Sequence, residues 1–249
     1  MSALVGGTVG EALAGRASGT IAPASDRASD RVSDRGSARH DAVRRAAAVF
    51  GIGGALLAIG GTMHPHETSG SMHESLLALI GSPAWLPAHA VLLAGMLTAV
   101  VGLVLLRRHD AFPAQVRPWL TGTIIAWTVA TPEFVPHLLA GAEHDALEVG
   151  GATPMVDTHL ALSTFTTPLV GLSAALLAVA VARAAATRPA RLLAVAGVVG
   201  GIAFAVAAPL LAVTGNPPVS NLFAAQTLID VWIIGTCVRV AHSERVARR

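Results

Sequence analysis

The chain has 249 residues, of which 53% are hydrophobic and only 13% charged, and its mean hydropathy is +0.62. Soluble domains carry about 25% charged residues, so a soluble enzyme, a disulfide scaffold and a wholly disordered chain fit poorly. All 17 basic residues are arginine, against 15 acidic ones. Nucleic-acid binding needs a basic patch rather than this small surplus. The single cysteine, Cys237, excludes an intrachain disulfide and a cysteine-based zinc site.

The first 42 residues differ in composition from the rest of the chain. Residues 24–39 read ASDR ASDR VSDR GSAR, a repeat of small, acidic and basic residues. Its charges cancel, and its apolar content is too low to offset the loss of chain entropy on folding. We therefore predict a disordered cytoplasmic tail over residues 1–42 and a membrane domain over residues 43–249.

Long apolar runs occupy the remainder of the chain. They lie at residues 46–62, 84–106, 119–140, 158–182, 192–213 and 222–238. A helix of about 17 to 25 residues spans the hydrocarbon layer, and helices satisfy their own backbone polar groups in lipid. The sequence therefore predicts an all-α bundle of six transmembrane helices, with the lipid bilayer as its first partner.

Arginine marks one side of this predicted bundle. The connections that follow the second and fourth runs, and the segments before the first and after the last, carry arginines, whereas residues 63–83, 141–157 and 214–221 have none. By the positive-inside rule, both termini are cytoplasmic and the three arginine-free connections face outward. We expect a multi-pass protein of the plasma membrane.

Histidine and carboxylate side chains gather on the outer side of this topology. The histidines are His64, His66, His73, His89, His137, His144 and His159, and the carboxylates are Glu67, Glu74, Glu133, Glu143, Asp145, Glu148 and Asp157. Imidazole and carboxylate without arginine are typical of a cation-binding surface. Scattered histidines in ordinary acidic loops are the alternative explanation.

The polar residues inside the apolar runs are the most informative, because lipid makes them costly. At about 1.5 Å per residue, Glu133 lies about 10 Å and Asp230 about 12 Å from the outer ends of their helices. Intramembrane acids are normally paired, metal-bound or protonated, and no arginine lies in the outer half. Glu133 and His137 are four residues apart and share a helix face. Pro132 and Pro136 should loosen the backbone beside Glu133.

The segment Met63–Glu74, which follows the first apolar run, contains His64 and His66. Imidazole suits zinc, copper, iron and nickel, and the outer methionines Met63, Met72 and Met155 slightly favour copper. The predicted metal ligands are His64, His66, His89, Glu133, His137 and His159. In an enzymatic version, the metal activates water and Glu133 takes its proton as a general base, with Asp230 as the second catalytic residue.

Three other functions fit the same residues. A single b-type haem can lie between His89 and His137 or His159, with Gly95 leaving room for the macrocycle. A transporter subunit can relay protons or a cation through Glu133 and Asp230. A partner subunit can use these residues only to hold helices together. No H-E-x-x-H or G-x-S-x-G motif is present, so the sequence assigns no enzyme activity, and it identifies no protein partner.

Overall fold

A computed structural model describes residues 24–68 and 70–246. This part of the chain is helical and contains no strand. The α-helices are α1 (Ala24–Met63), α2 (Met72–Ile80), α3 (Trp85–Arg108), α4 (Arg117–Ala130), α5 (Phe134–Leu139), α6 (His144–Glu148), α7 (Pro154–Ala185), α8 (Arg188–Thr214) and α9 (Gln226–Val246). Short 3-10 turns lie at Ala114–Val116, Thr131–Glu133, Ala140–Glu143 and Pro217–Ala225. The all-α prediction is confirmed for the described residues.

Five segments are long and apolar enough to cross a membrane. Among the described residues they are Gly36–Met63, Trp85–Arg108, Pro154–Ala185, Arg188–Thr214 and Pro217–Glu244. The protein is thus a helical membrane protein by length and composition, and a sixth span is not confirmed.

The predicted third span is broken. α4 ends at Ala130, Thr131–Glu133 forms a 3-10 turn, and α5 adds six residues. The reason is local, because Pro132 and Pro136 have no N–H to donate and their rings clash with the preceding helical turn. The break places Glu133 between two helical pieces.

The predicted disorder of residues 1–42 is not confirmed. Residues 24–42 form the first part of α1, and the remaining residues of the predicted tail lie outside the described part of the chain. The contacts group the residues from Arg39 onward into one compact unit, and the preceding residues into another. The second part of α1 and the helices α2 to α9 belong to the unit that begins at Arg39.

Close helix packing in this unit depends on glycine. A Cβ at Gly102 of α3 would lie 2.5 Å from the Phe50 Cα atom of α1, and one at Gly53 of α1 would lie 2.5 Å from the Ala99 N atom of α3. Small residues let helix backbones approach each other closely in lipid. The rotation and depth of α1 against α3 are thereby fixed.

Apolar side chains also cover the outside of the bundle. Phe165 is 70% exposed and Val213 is 85% exposed, with many leucines, valines and isoleucines beside them on the helices. Surfaces this apolar are suited to lipid rather than to water.

A group of histidines and a group of arginines lie at opposite ends of the bundle. At one end, which we call the histidine end, α1 finishes and α3 and α7 begin, and His64, His89 and His159 lie there. At the other, the arginine end, α3 and α7 finish with Arg107, Arg108 and Arg183 in their last turns.

Candidate metal-binding site

Four imidazoles and one carboxylate meet at the histidine end. His89 comes from the first turns of α3, His159 from α7 and His137 from α5, while His64 directly follows α1. The rings of His64 and His89 are 4.8 Å apart between centroids, and those of His89 and His137 are 4.1 Å apart. The ring of His137 stacks on that of His159 at 3.6 Å. Segments far apart in the chain thus supply one imidazole cluster.

Two groups in this cluster have a geometry that can hold a metal ion. The first is His64, His89 and His137, and the second is Glu133, His137 and His159. Within each group, the candidate ligand atoms all lie within 4.8 Å of one another. His137 belongs to both groups.

In the first group, every imidazole already has a partner for its Nδ1 atom. His89 Nδ1 lies 2.6 Å from the Trp85 carbonyl oxygen, and His64 Nδ1 lies 2.7 Å from the Pro65 carbonyl oxygen. His137 Nδ1 lies 3.4 Å from Glu133 Oε1. A carbonyl or carboxylate oxygen accepts from an N–H, so these contacts set the tautomer with the proton on Nδ1. Nε2 is the atom that each ring can offer to a ligand.

His89 is the most constrained member of the group. Its side chain is fully buried, and its Nε2 atom has no hydrogen-bond partner. Buried polar atoms are almost always hydrogen-bonded, so each exception calls for an explanation. A lone pair that is buried, unpartnered and faced by two other imidazoles is suited to a bound cation.

His64 lies just beyond the end of α1. Burial lowers its pKa below the usual 6.5, against the opposing effect of its hydrogen bond to the Pro65 carbonyl, and the nearby His66 lowers it further. At a pH between the lowered pKa of the folded protein and the usual pKa of the unfolded chain, the unfolded chain binds more protons at His64. Acidification below 6.5 therefore disfavours the packed position of His64. The neutral ring is the form that ligates metals.

Glu133 holds the second group together. Its side chain is only 8% exposed, and its Oε1 atom contacts Nδ1 of both His137 and His159. Its ion-pair partners are these two histidines. The carboxylate is therefore committed to two imidazoles.

Trp85 was missed as a member of the site from sequence. Its indole Nε1 donates to the His137 carbonyl oxygen at 3.2 Å, while its own carbonyl accepts from His89. The signal available in the sequence was the four-residue spacing of Trp85 and His89, which places both on one helix face.

Two of the sequence-predicted site residues do not join these groups. His66 is exposed, with its ring 6.0 Å from that of His64. Asp230 is buried in α9 beside Gln226, and it belongs to neither group. A third group, His144, Asp145 and Glu148, lies in the solvent-exposed α6 region, and exposed acidic groups of this kind are common without an ion.

Comparison with protein families, curated proteins and solved structures gives no match for this chain. The fold and the site define its class as a helical membrane protein with histidine and carboxylate groups that can bind a metal.

Proposed function

We propose that the protein binds a transition metal ion at the histidine end, with Nε2 atoms of His64, His89 and His137 as ligands. The observation that carries this proposal is the engagement of all three Nδ1 atoms by oxygen acceptors. Metal-binding histidines almost always donate their second ring N–H to a carboxylate or a backbone carbonyl, which fixes the ring and raises its basicity.

The donor set favours zinc or copper. Imidazole suits zinc, copper, iron and nickel, and the first group contains neither thiolate nor carboxylate. Three protein ligands leave one position of a tetrahedral ion open for water or a substrate. When bound, the ion would act there as a Lewis acid and lower the pKa of a water molecule.

Glu133 acts in this proposal as a positioning residue. The sequence suggested it as a general base, but its Oε1 atom faces two imidazoles in the structure. A carboxylate that holds the His137 ring has a definite role without any reaction. Metal binding or handling is therefore the function that the geometry supports best, ahead of hydrolysis.

Haem is less well supported than a simple ion. The His89–His137 and His137–His159 ring pairs are in direct contact, with centroids 4.1 and 3.6 Å apart, so a porphyrin cannot lie between either pair without displacing the rings. Gly95 leaves no room for the macrocycle either, because a Cβ there would lie 2.8 Å from the Leu57 N atom of α1.

The distribution of arginine supports an outward-facing site. Arg107, Arg108 and Arg183 end their helices at the opposite side of the bundle, and the positive-inside rule places that side in the cytoplasm. The proposed site then faces the exterior of the plasma membrane, with both termini inside.

The direct test measures metal in protein purified in detergent without chelator, by elemental analysis and an absorption spectrum. We expect near-stoichiometric zinc or copper and no Soret band. His89→Ala removes a buried ligand, so metal affinity should fall by more than about 100-fold, beyond the 10- to 100-fold typical of outer-shell changes.

The matched control is His40→Ala at the arginine end, where the imidazole pairs with a single carboxylate, Glu244. That variant should bind metal like the wild type. Absence of metal from wild-type protein, both as purified and after loading with zinc or copper, would overturn the proposal, and a Soret band lost in His89→Ala would replace it with haem.

A further inference from the structure

Asp230 is a buried acid outside the metal-binding groups. It lies on α9 within the candidate span Pro217–Glu244, and the residue is only 2% exposed. Its Oδ1 atom has no hydrogen-bond partner, and Gln226 precedes it by one turn on the same helix. The arrangement leaves one carboxyl oxygen buried and unsatisfied.

No basic side chain of the packed helices can pair with this carboxyl. α9 packs on α1, where Gly54 faces Ile233, and on α8, where Gly200 faces Ile229. Residues 46–63 of α1 and 192–214 of α8 contain no ionisable side chain. The nearest titratable groups on α9 itself are Cys237 and Arg239, about two turns further along.

The histidines on neighbouring helices of the histidine end have contacts with groups other than Asp230. In α3, the only ionisable residue between Trp85 and Leu106 is His89, and in α7, His159 contacts Glu133. An ionised carboxylate without a counter-ion is costly inside a membrane, and such groups are protonated or mark a path for an ion.

We propose that Asp230 is a proton-binding site, protonated in the resting protein, that exchanges its proton with solution at the histidine end. This inference is independent of the metal proposal, since no atom of Asp230 belongs to either metal-binding group.

The route follows from the polar contacts on either side of Asp230. Toward the histidine end, Gln226 Nε2 donates to the Leu57 carbonyl oxygen of α1 at 3.4 Å and lies near Gly61, in the last turns of α1. Toward the arginine end, the next turn of α9 contributes Trp232 and Ile233, which are almost completely buried. The polar side chains Gln226 and Thr227 thus lie within about one turn of Asp230 on its histidine side, whereas the next polar side chain of α9 toward the arginine end, Thr236, is further away.

The test uses dicyclohexylcarbodiimide, a membrane-soluble reagent, on the full-length protein in lipid vesicles. A protonated carboxyl adds across one C=N bond of the reagent: the carboxyl oxygen bonds to carbon, and the acid proton moves to nitrogen. The O-acylisourea then rearranges to a stable N-acylurea without any other reactant. Peptide mass spectrometry locates the adduct.

We expect an adduct at Asp230 that is absent in Asp230→Asn. Its rate should fall as the pH at the histidine end is raised, and remain unchanged when only the pH at the arginine end is raised. Gln226→Leu should slow the reaction about 5-fold or more, because a polar side chain one turn from the carboxyl on the histidine side is lost. Exposed Asp145 serves as the internal control that the lipophilic reagent should leave unmodified.

Three results would overturn the proposal. The first is an unmodified Asp230 in wild-type vesicles. The second is labelling that sodium or potassium suppresses at constant pH, which indicates a cation site. The third is a labelling rate that follows the pH at the arginine end. Metal content measured on the same vesicles reports on the metal proposal separately, and a normal metal content in Asp230→Asn shows that this variant is folded.

Discussion

The two ends of the bundle both contain histidine, but they use it differently. At the arginine end, His40 contacts one carboxylate, Glu244, and Asp110 pairs with Arg117 at 3.0 Å. At the histidine end, Glu133 faces two imidazoles, and three further ring contacts connect His64, His89 and His137. One end forms isolated ion pairs, and the other forms a cluster.

The difference shows what arginine does to a carboxylate. At the arginine end, Asp110 pairs with Arg117, which is permanently charged and donates several hydrogen bonds, while Glu244 pairs with a single imidazole. Where arginine is absent, the carboxylate can be satisfied only by neutral donors, and imidazole supplies them. Each ring that donates from Nδ1 keeps Nε2 available, so the lack of arginine favours a metal-binding arrangement.

The largest expected effect tests whether the two ends face opposite sides of the membrane. In a Cys237→Ser background, cysteine introduced at Val149, which is 82% exposed, should react with an impermeant thiol reagent in intact cells. Cysteine at Gln115, which is exposed beside the arginine end, should not react until the cells are opened. The reverse pattern would place the metal-binding groups in the cytoplasm.

The next effect compares the two buried or half-buried glutamates. Glu133→Gln keeps the shape of the side chain but removes the charge that holds His137 and His159, so metal affinity should fall about 10- to 100-fold, as for other outer-shell partners. Glu244→Gln removes the acid beside His40 and should leave the affinity unchanged. Competition titration against a chromophoric chelator measures both, and equal affinities in the two variants would show that Glu133 is only a packing group.

The smallest effect concerns the two tryptophans that lie near opposite ends. Trp85→Phe removes the donor to the His137 carbonyl, a hydrogen bond contributing about 1 kcal/mol, which corresponds to about a 5-fold loss of metal affinity. Trp119→Phe is the control, since Trp119 is 45% exposed. The same titration applies, and a loss in both variants would point to a general effect on the bundle rather than on the site.

The sequence predicted the histidines and the glutamate of the cluster, but it also predicted two residues that lie outside the metal-binding groups. His64, His89, Glu133, His137 and His159 were all predicted, because lipid makes polar residues in apolar runs conspicuous and the spacing of Glu133 and His137 sets a common face. Asp230 was grouped with them from its similar depth, and His66 because it lies beside His64 in the segment that follows the first apolar run. Depth does not give the direction of a side chain around its helix, and the structure places both outside the two groups.

The sequence by itself determined the class of protein and the separation of charge. Apolar runs predict membrane helices because each helix satisfies its own backbone hydrogen bonds. The orientation in the membrane can be predicted from the positions of arginine in the sequence, without knowledge of any tertiary contact. The break after Ala130 also follows locally from Pro132 and Pro136. The tertiary structure decided which imidazoles face one another, because this depends on how α1 and α3 are rotated. Contacts such as Gly102 against Phe50 fix that rotation. The unpaired state of Asp230 likewise follows from the helices that happen to surround it.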